Sequence, residues 1–471
     1  MSAKPYRDHR SSRATGATAA RESGCRTGVM GPPGSDKIQR VHDSSGSRRL
    51  RIYVLTPAFL PEIGGQENHI HELAAGLIAR GMQVLVITRR FDRTHARREV
   101  LRTVPVVRFT PTGETKGAGW RAVLPLTILL AKMMYLLVRD RRRYDVVLVS
   151  GFNMLPLAAV IAGRLTGKRC VVRPESPMEL RYAIGTESLE KMGLPATSRL
   201  LSAFGRTRRW AAQRVDHYIA ISSEIRAGLE GAGVDPAKIT GIPNGIDVGK
   251  FAPVSPARRR ELRDRLGLPR SGHILIYTGR LAVTKGVMML AEIWRDIAPE
   301  YPDAHLVLVG TGYGSVDSCE RELVEFIAGH ALTHRVTLPG NITNVDEYLQ
   351  ASDLFVFPSD YEGFGLSILE AMAVGLPMVS TRVGVAADVA ARYQPEFLVE
   401  PRHSTDFKEA LRRLLADPAS WESIGARARL EVHAQYSIAA IAKQHIEVLA
   451  EQTRGAPQAP AGLPSNADEP S

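Results

Sequence analysis

The feature that most constrains this chain is an alternation that runs twice. Short, nearly continuous apolar segments rich in β-branched residues alternate with longer amphipathic ones, and the turn-rich Ile242-Pro-Asn-Gly-Ile-Asp247 divides the two runs. Strands apolar on both sides must be covered on both faces, and strand–helix–strand connectivity makes neighbouring strands parallel. Before the break the pattern predicts strands over Arg51–Thr56, Gln83–Thr88, Val104–Phe109, Asp145–Ser150, Arg169–Arg173 and His217–Ile221. Helices fall between them, over Gln66–Arg80, Trp120–Arg139, Leu155–Leu165, Thr197–Arg214 and Ser223–Gly231. After it, strands are predicted over Ile274–Thr278, His305–Val309, Val336–Leu338, Leu354–Pro358 and Pro377–Ser380. The second set of helices covers Gly286–Ile297, Ser318–His330, Val345–Ala351, Leu366–Ala373 and Ser404–Ala416. The expected fold class is α/β, with two doubly wound domains over 49–240 and 245–435 facing across a cleft. Ligands of open parallel sheets bind at the carboxyl ends of the strands, so the cleft is where chemistry is expected.

The ends of the chain read differently. Residues 1–48 are rich in Ser, Arg, Gly and Thr without apolar periodicity, and 453–471 are similar in lacking it; both are expected to be disordered tails. The formal charge is +12, and half of that excess lies in the first fifty residues. The mildly basic body suits phosphorylated ligands or anionic lipid. Nucleic acid is not expected, because no aromatic-rich basic motif accompanies the charge. Three widely spaced cysteines, Cys25, Cys170 and Cys319, point to neither a disulfide framework nor a zinc site. They fit a reducing compartment, and no signal peptide is read, so the expected location is cytoplasmic. Val123–Val138 is apolar but interrupted by Lys132 and too short to span a bilayer. A core-facing helix is the leading expectation there. A peripheral helix on an anionic membrane is the other, at the inner face.

Four loops carry candidate chemistry. Pro61-Glu-Ile-Gly-Gly-Gln66 follows a strand and opens a helix, which suits a phosphate on helix-terminal amides. Thr278-Gly-Arg-Leu-Ala-Val-Thr-Lys-Gly286 does the same and adds Arg280 and Lys285, able to meet one anion. Gly310-Thr-Gly-Tyr-Gly314 is a glycine-rich strand exit against which a base or pyrophosphate could lie. The fourth runs from strand Leu354–Pro358 through Glu362, Gly363, Phe364 and Gly365 into a helix carrying Glu370. A carboxylate at the loop can accept sugar hydroxyls, and one further along can take both hydroxyls of a ribose. No Asp-x-Asp metal site is evident, and no metal or cofactor is expected.

Taken in order, these segments resemble the glycosyltransferases of family 4, which have the GT-B fold of two Rossmann-like domains. The resemblance rests on Gly64-Gly65-Gln-Glu67, Pro243-Asn-Gly-Ile-Asp247, Gly279-Arg280 with Lys285-Gly286, Gly310-x-Gly312, and Phe357 through Ala373, and covers nearly all of 50–450. It implies metal-independent, retaining transfer of a sugar from a nucleoside diphosphate sugar to an acceptor. Arg280 and Lys285 would neutralise the leaving diphosphate, with Gly64 and Gly65 helping from the other domain. Glu362 and the Gly363–Gly365 backbone would face the donor sugar, and Glu370 the ribose. Asn244, Gly279, Gly310, Gly312, Phe364 and Leu366 complete the donor set. A C-terminal helix within 436–452 would return to the first domain.

The chain departs from the family pattern at three places. Ser150-Gly-Phe-Asn153 and Arg173-Pro-Glu175 stand where many relatives carry histidine, and Val383-Gly-Val-Ala-Ala-Asp388 replaces a double glycine followed by Glu. Glu67, Asn153, Arg173 and Glu175 are the candidate acceptor or sugar contacts. His69 and His71 read as polar surface positions. Two other functions remain open on the sequence: a sugar-nucleotide epimerase or hydrolase of the same fold, and a silent nucleotide-sugar-binding protein.

Overall fold

The computed structural model describes residues 49–454 except 62–63, 111–119, 153, 178, 180–198, 314–316 and 393. The tail expected over 1–48, nearly all of the one over 453–471, and Asn153 therefore lie outside the described residues. Thr453 and Arg454 do not belong to a tail. They close the helix Ile438–Arg454, with the Thr453 hydroxyl donating to the Ala450 carbonyl at 2.8 Å.

The first sheet holds β1 (Arg51–Leu55), β2 (Gln83–Arg89), β3 (Arg98–Leu101), β4 (Val104–Phe109), β5 (Val146–Ser150), β6 (Arg169–Arg173), β7 (His217–Ala220) and β8 (Ile239–Gly241), in the order β3-β4-β2-β1-β5-β6-β7-β8. Every pair is parallel except β3 with β4. The second sheet holds β9 (Ile274–Thr278), β10 (His305–Val309), β11 (Val336–Gly340), β12 (Leu354–Phe357), β13 (Met378–Thr381) and β14 (Leu398–Val399), all parallel, in the order β11-β10-β9-β12-β13-β14. Central strands β5, β9 and β10 are buried at every residue, as helices on both faces require. Strand order reverses between β1 and β5 and between β9 and β12, which opens a crevice at the carboxyl ends of each pair.

The alternation missed what lacks its pattern. β3 is a half-exposed edge strand, β8 has three residues and β14 two. Helix Pro256–Arg265 (PARRRELRDR) has too few apolar residues to show a period; it is set by the Ser255 cap, which accepts from Arg258 N at 3.3 Å, and by Pro256 in the first turn. Helices Val385–Asp388 and Trp421–Gln435 were also unread, one being a single turn and the other weakly amphipathic.

Two crossings join the halves side by side. Ile246 N donates to Tyr436 O at 2.9 Å, and Ile438 N returns a bond to Ile246 O at 2.8 Å. Helix Ile438–Arg454 then packs on helix Gly65–Ala79, where Gly76 leaves room for Ala442. Ile441, Ala442, Val448 and Leu449 share one buried cluster with Ile52, Val54, Ile70 and Leu73. The apolar stripe of Trp120–Arg139 faces inward: Leu129, Leu130, Met133, Leu136 and Leu137 are buried. Among the described residues no helix is long and apolar enough to cross a membrane.

Candidate active site

Each of the four loops leaves the carboxyl end of a strand at or beside a crevice. Helix Gly65–Ala79 follows β1, helix Val287–Ile297 follows β9 and helix Leu366–Val374 follows β12. Each is entered through a glycine cap, Gly64, Gly286 or Gly365, with no side-chain hydrogen bond at the cap. A glycine at the cap position offers no side chain to the first amides of its helix, an arrangement that suits an anion. Gly286 has φ 67°, and a Cβ there would stand 2.0 Å from the Pro358 carbonyl oxygen, so no side chain fits. Gly310, at φ 137°, lies as closely on the Gly279 carbonyl.

Lys285 is the central cation. Its Nζ lies 2.6 Å from Glu362 Oε1 and 3.2 Å from the Tyr361 carbonyl, with both charged side chains nearly enclosed. Thr311 and Asp317 are stapled to its loop: Leu281 N donates to Thr311 O at 3.1 Å, Val283 N to Asp317 O at 2.8 Å, and the Thr284 hydroxyl to Asp317 Oδ2 at 2.5 Å. Arg280 is exposed on the same loop, its carbonyl held by the Tyr277 hydroxyl at 2.8 Å. Glu370 is half-buried one turn into its helix. Desolvation pushes its pKa up to about 7, against a smaller pull from Lys250.

The loop Val383–Asp388 packs on this centre. Val385 N donates to the Phe364 carbonyl at 2.7 Å, and Gly384, at φ 50°, has no room for a side chain against it. Phe364 itself is buried in the core, so it can offer the cleft only its backbone.

A family model described as "Glycosyltransferase Family 4" matches residues 63–250, and one described as "Glycosyl transferases group 1" matches 258–431. Together they take in most of the chain. The chain belongs to glycosyltransferase family 4. A D-inositol 3-phosphate glycosyltransferase of Kineococcus radiotolerans is 28% identical, covering 78% of this chain and 86% of that one. An Escherichia coli UDP-Gal:alpha-D-GlcNAc-diphosphoundecaprenol alpha-1,3-galactosyltransferase is 29% identical over 59% of this chain and 68% of its own length. HepE of Anabaena, solved in complex with UDP and glucose, superposes with a TM-score of 0.67 at 21% identity, covering 85% of this chain and 100% of that one. The fold is GT-B.

In this glycosyltransferase the first domain meets the loop at 361–366 directly. A side chain on Gly363 would run into the Glu175 carbonyl, the Tyr361 phenol lies 3.0 Å from the Ser176 hydroxyl, and Gly65 faces Leu366. Asp388 of the atypical loop reaches the Ser223 hydroxyl at 2.6 Å. Tyr361, Ser176 and Ser223 were not singled out from the sequence; adjacency to Glu362 and Glu175 was the available signal for the first two.

Several of the candidate residues have partners within the protein. Arg173, a candidate acceptor contact, is wholly buried; it donates to Asn244 Oδ1 and lies 3.3 Å from Glu175. Asn244, expected at the donor, is buried as its partner. Glu175 reaches the cleft through its backbone, while its carboxylate accepts from the Ser150 hydroxyl at 2.5 Å. Glu67 folds back over Gly64 at its own helix start. His69 and His71 are buried rather than surface residues, because their face of the helix packs against the sheet and the C-terminal helix. His69 Nδ1 lies 3.1 Å from the Gly245 carbonyl, and burial with Arg173 nearby holds its pKa well below the ordinary range.

Proposed function

We propose that this enzyme is a retaining glycosyltransferase that takes its sugar from a nucleoside diphosphate sugar and needs no metal. The reading is carried by one observation: three glycine-entered helix starts without side-chain caps open beside the Lys285–Glu362 pair. Fixed amides and cations of this kind stabilise charge that grows on a departing diphosphate. Arg280 and Lys285 take that charge, and Glu370 accepts the ribose hydroxyls. The bond from sugar C1 to the β-phosphate oxygen breaks while the acceptor oxygen bonds C1 on the same face. The acceptor proton passes to the leaving phosphate oxygen, so no separate base is assigned. UDP with glucose in the HepE structure and UDP-galactose in the name of the E. coli relative support a nucleotide-sugar donor. Cys170 and Cys319 are buried free thiols, which supports a cytoplasmic setting.

A thermal-shift panel of nucleotide sugars identifies the donor, because binding to the native state alone stabilises it. NMR of the product then reads the anomeric configuration against that of the donor. An inverted product overturns the retaining reading. Donor cleavage or epimerisation with no glycoside across an acceptor panel overturns transfer.

A further inference from the structure

We infer that Asp388 is a positioning residue for the reaction: through the single turn Val385–Asp388 it ties the segment Glu362–Phe364 of the second domain to the helix start at Ser223 of the first. The inference rests on the transferase reading and gives the atypical loop at 383–388 a role in placing Glu362.

The loop has little to offer a ligand by itself. Val383, Val385 and Ala386 are buried in the core, and Asp388 is its only polar side chain. Its entry is fixed to the segment that carries Glu362. Gly384 takes φ 50°, and a Cβ there would run into the Phe364 carbonyl and stand 3.0 Å from Glu362 Cβ. Val385 N donates to that same carbonyl at 2.7 Å. The turn then closes on itself. Ala386 N donates to Val383 O at 3.1 Å, Ala387 N to Gly384 O at 3.2 Å, and Val389 N to Val385 O at 2.9 Å. Four helical residues make a strut about 6 Å long, too short and too fully bonded to leave slack between its ends.

The far end of the strut meets the other domain. Asp388 Oδ1 accepts from the Ser223 hydroxyl at 2.6 Å, and Oδ2 accepts from Ser223 N at 3.4 Å. Among the described residues, both hydrogen bonds of Asp388 go to Ser223. Ser223 opens helix Ser223–Gly231, which follows β7, and Ser222 before it caps the helix by accepting from Ile225 N at 3.3 Å. A carboxylate suits such a place, because helix-start amides lack partners within the helix and the dipole favours negative charge. Arg392, one turn beyond Asp388, is paired with Glu431 at 2.6 Å. A movement of Ser223 against the second sheet is therefore passed along the turn to the Phe364 carbonyl, and so to Glu362, whose carboxylate meets Lys285 at 2.6 Å. The contact of Ser176 with Tyr361 holds the same segment to the first domain at a second point. Coupling of this kind needs a contiguous rigid element between the two ends, and the closed turn is one.

Amide hydrogen exchange of the full-length protein, without ligand, reads the coupling directly. Ser223→Ala and Asp388→Ala are each expected to speed exchange roughly threefold or more in peptides covering 383–389 and also 359–366. The double substitution should add little to either. Asp388→Asn keeps an oxygen for the Ser223 hydroxyl and should fall between the alanine variant and the wild type. Melting temperature should stay near wild type in Ser223→Ala, since Ser223 is exposed. Affinity for UDP, GDP and ADP is then measured, and turnover is followed as release of nucleoside diphosphate from the nucleotide sugar picked out by thermal shift. In both single variants kcat should fall about three- to tenfold, the scale of one lost hydrogen bond, with nucleotide affinity and donor KM within about twofold of wild type. A contact that only stabilises the surface would leave 359–366 and kcat as they were. Exchange changes confined to 221–226 and 383–389, an unchanged kcat, or fully additive losses in the double variant overturn the inference and leave the transferase reading standing. Failure to bind any nucleotide or nucleotide sugar overturns both.

Discussion

The hydroxyls of Ser176 and Tyr361 lie 3.0 Å apart across the cleft, one on each domain. Tyr361 precedes Glu362, and its carbonyl is held by Lys285. The bond therefore links the first domain to the backbone of the donor loop. A hydrogen bond of this sort contributes about 0.5–1.5 kcal/mol. Tyr361→Phe is expected to lower kcat/KM about two- to tenfold and to raise the share of donor lost to water, since closure excludes solvent. Ser176→Ala should add little once Tyr361 is Phe. Fully additive losses in the double-mutant cycle would show that the two hydroxyls act independently.

Lys285 sits 2.6 Å from Glu362 with both side chains nearly enclosed. Lys285→Ala removes the cation proposed for the leaving phosphate and also strands the Glu362 carboxylate. Two effects follow, and they separate. Turnover should drop about 10²–10³-fold, as for loss of a fixed electrostatic partner, and the melting temperature should fall as well. Adding Glu362→Gln should restore the melting temperature without restoring turnover. Arg280→Ala, at an exposed position, should cost turnover with a smaller change in melting than Lys285→Ala. Near-normal rates in both Lys285→Ala and Arg280→Ala would remove the leaving-group assignment.

Gly363 passes so close to Glu175 that an added Cβ would stand 2.5 Å from its carbonyl oxygen. That oxygen is backbone and cannot swing aside. Gly363→Ala should hold the domains apart, reducing turnover more than tenfold while far-UV circular dichroism and melting stay near wild type, because the clash lies between domains and not within a core. Unchanged kinetics would mean that the closed arrangement is not the working one.

The sequence told most about strands buried on both faces and about loops whose glycines need positive φ or close approach. β9, β10 and β12 and the glycines at 286, 310 and 365 were legible for that reason. Elements without apolar periodicity, such as Pro256–Arg265, were not. Side-chain partnerships between distant segments were the least legible. Arg173 looked like a ligand contact because it ends a strand, yet its guanidinium turns inward to Asn244, 71 residues away. His69 and His71 looked polar, but helix Ile438–Arg454 covers the adjoining helix face from the far end of the chain. Nothing local in the sequence signals such a cover.

Desolvation raises the Glu370 pKa to about 7. A raised acid pKa means that the folded state favours the proton, so this group's contribution to stability falls as pH rises from its unfolded value toward 7. Holding two ribose hydroxyls as acceptor requires the ionised form. Affinity for the nucleoside is therefore expected to weaken as pH drops below 7, approaching tenfold per unit. A nucleoside without phosphate is the right probe, since it has no titrating phosphate of its own. Calorimetry from pH 5.5 to 8.5 should show this slope in the wild type and its loss in Glu370→Gln. An equal slope in both would place the titrating group elsewhere.

The buried histidines at the domain junction titrate in the opposite sense. His445 Nδ1 lies 2.9 Å from the Ile441 carbonyl, and burial, with Arg173 nearby, lowers its pKa to about 3. His69 shares that surrounding and is lowered for the same reasons. Unfolded histidine takes up its proton near pH 6.5, whereas the folded protein refuses it until far lower pH. The stability these groups contribute is present above about 6.5 and is lost as pH falls below it, for His445 through the interval to about 3, at up to about 1.4 kcal/mol per pH unit. Urea melts at pH 7.5, 6.0 and 5.0 should show a falling midpoint. Nε2 of His445 has no hydrogen-bond partner among the described residues, so His445→Met keeps the packing and discards the titration. That variant should lose part of the acid slope while Glu370→Gln, whose group gains stability on acidification, should steepen it. If neither substitution alters the slope, acid sensitivity does not originate at the domain junction.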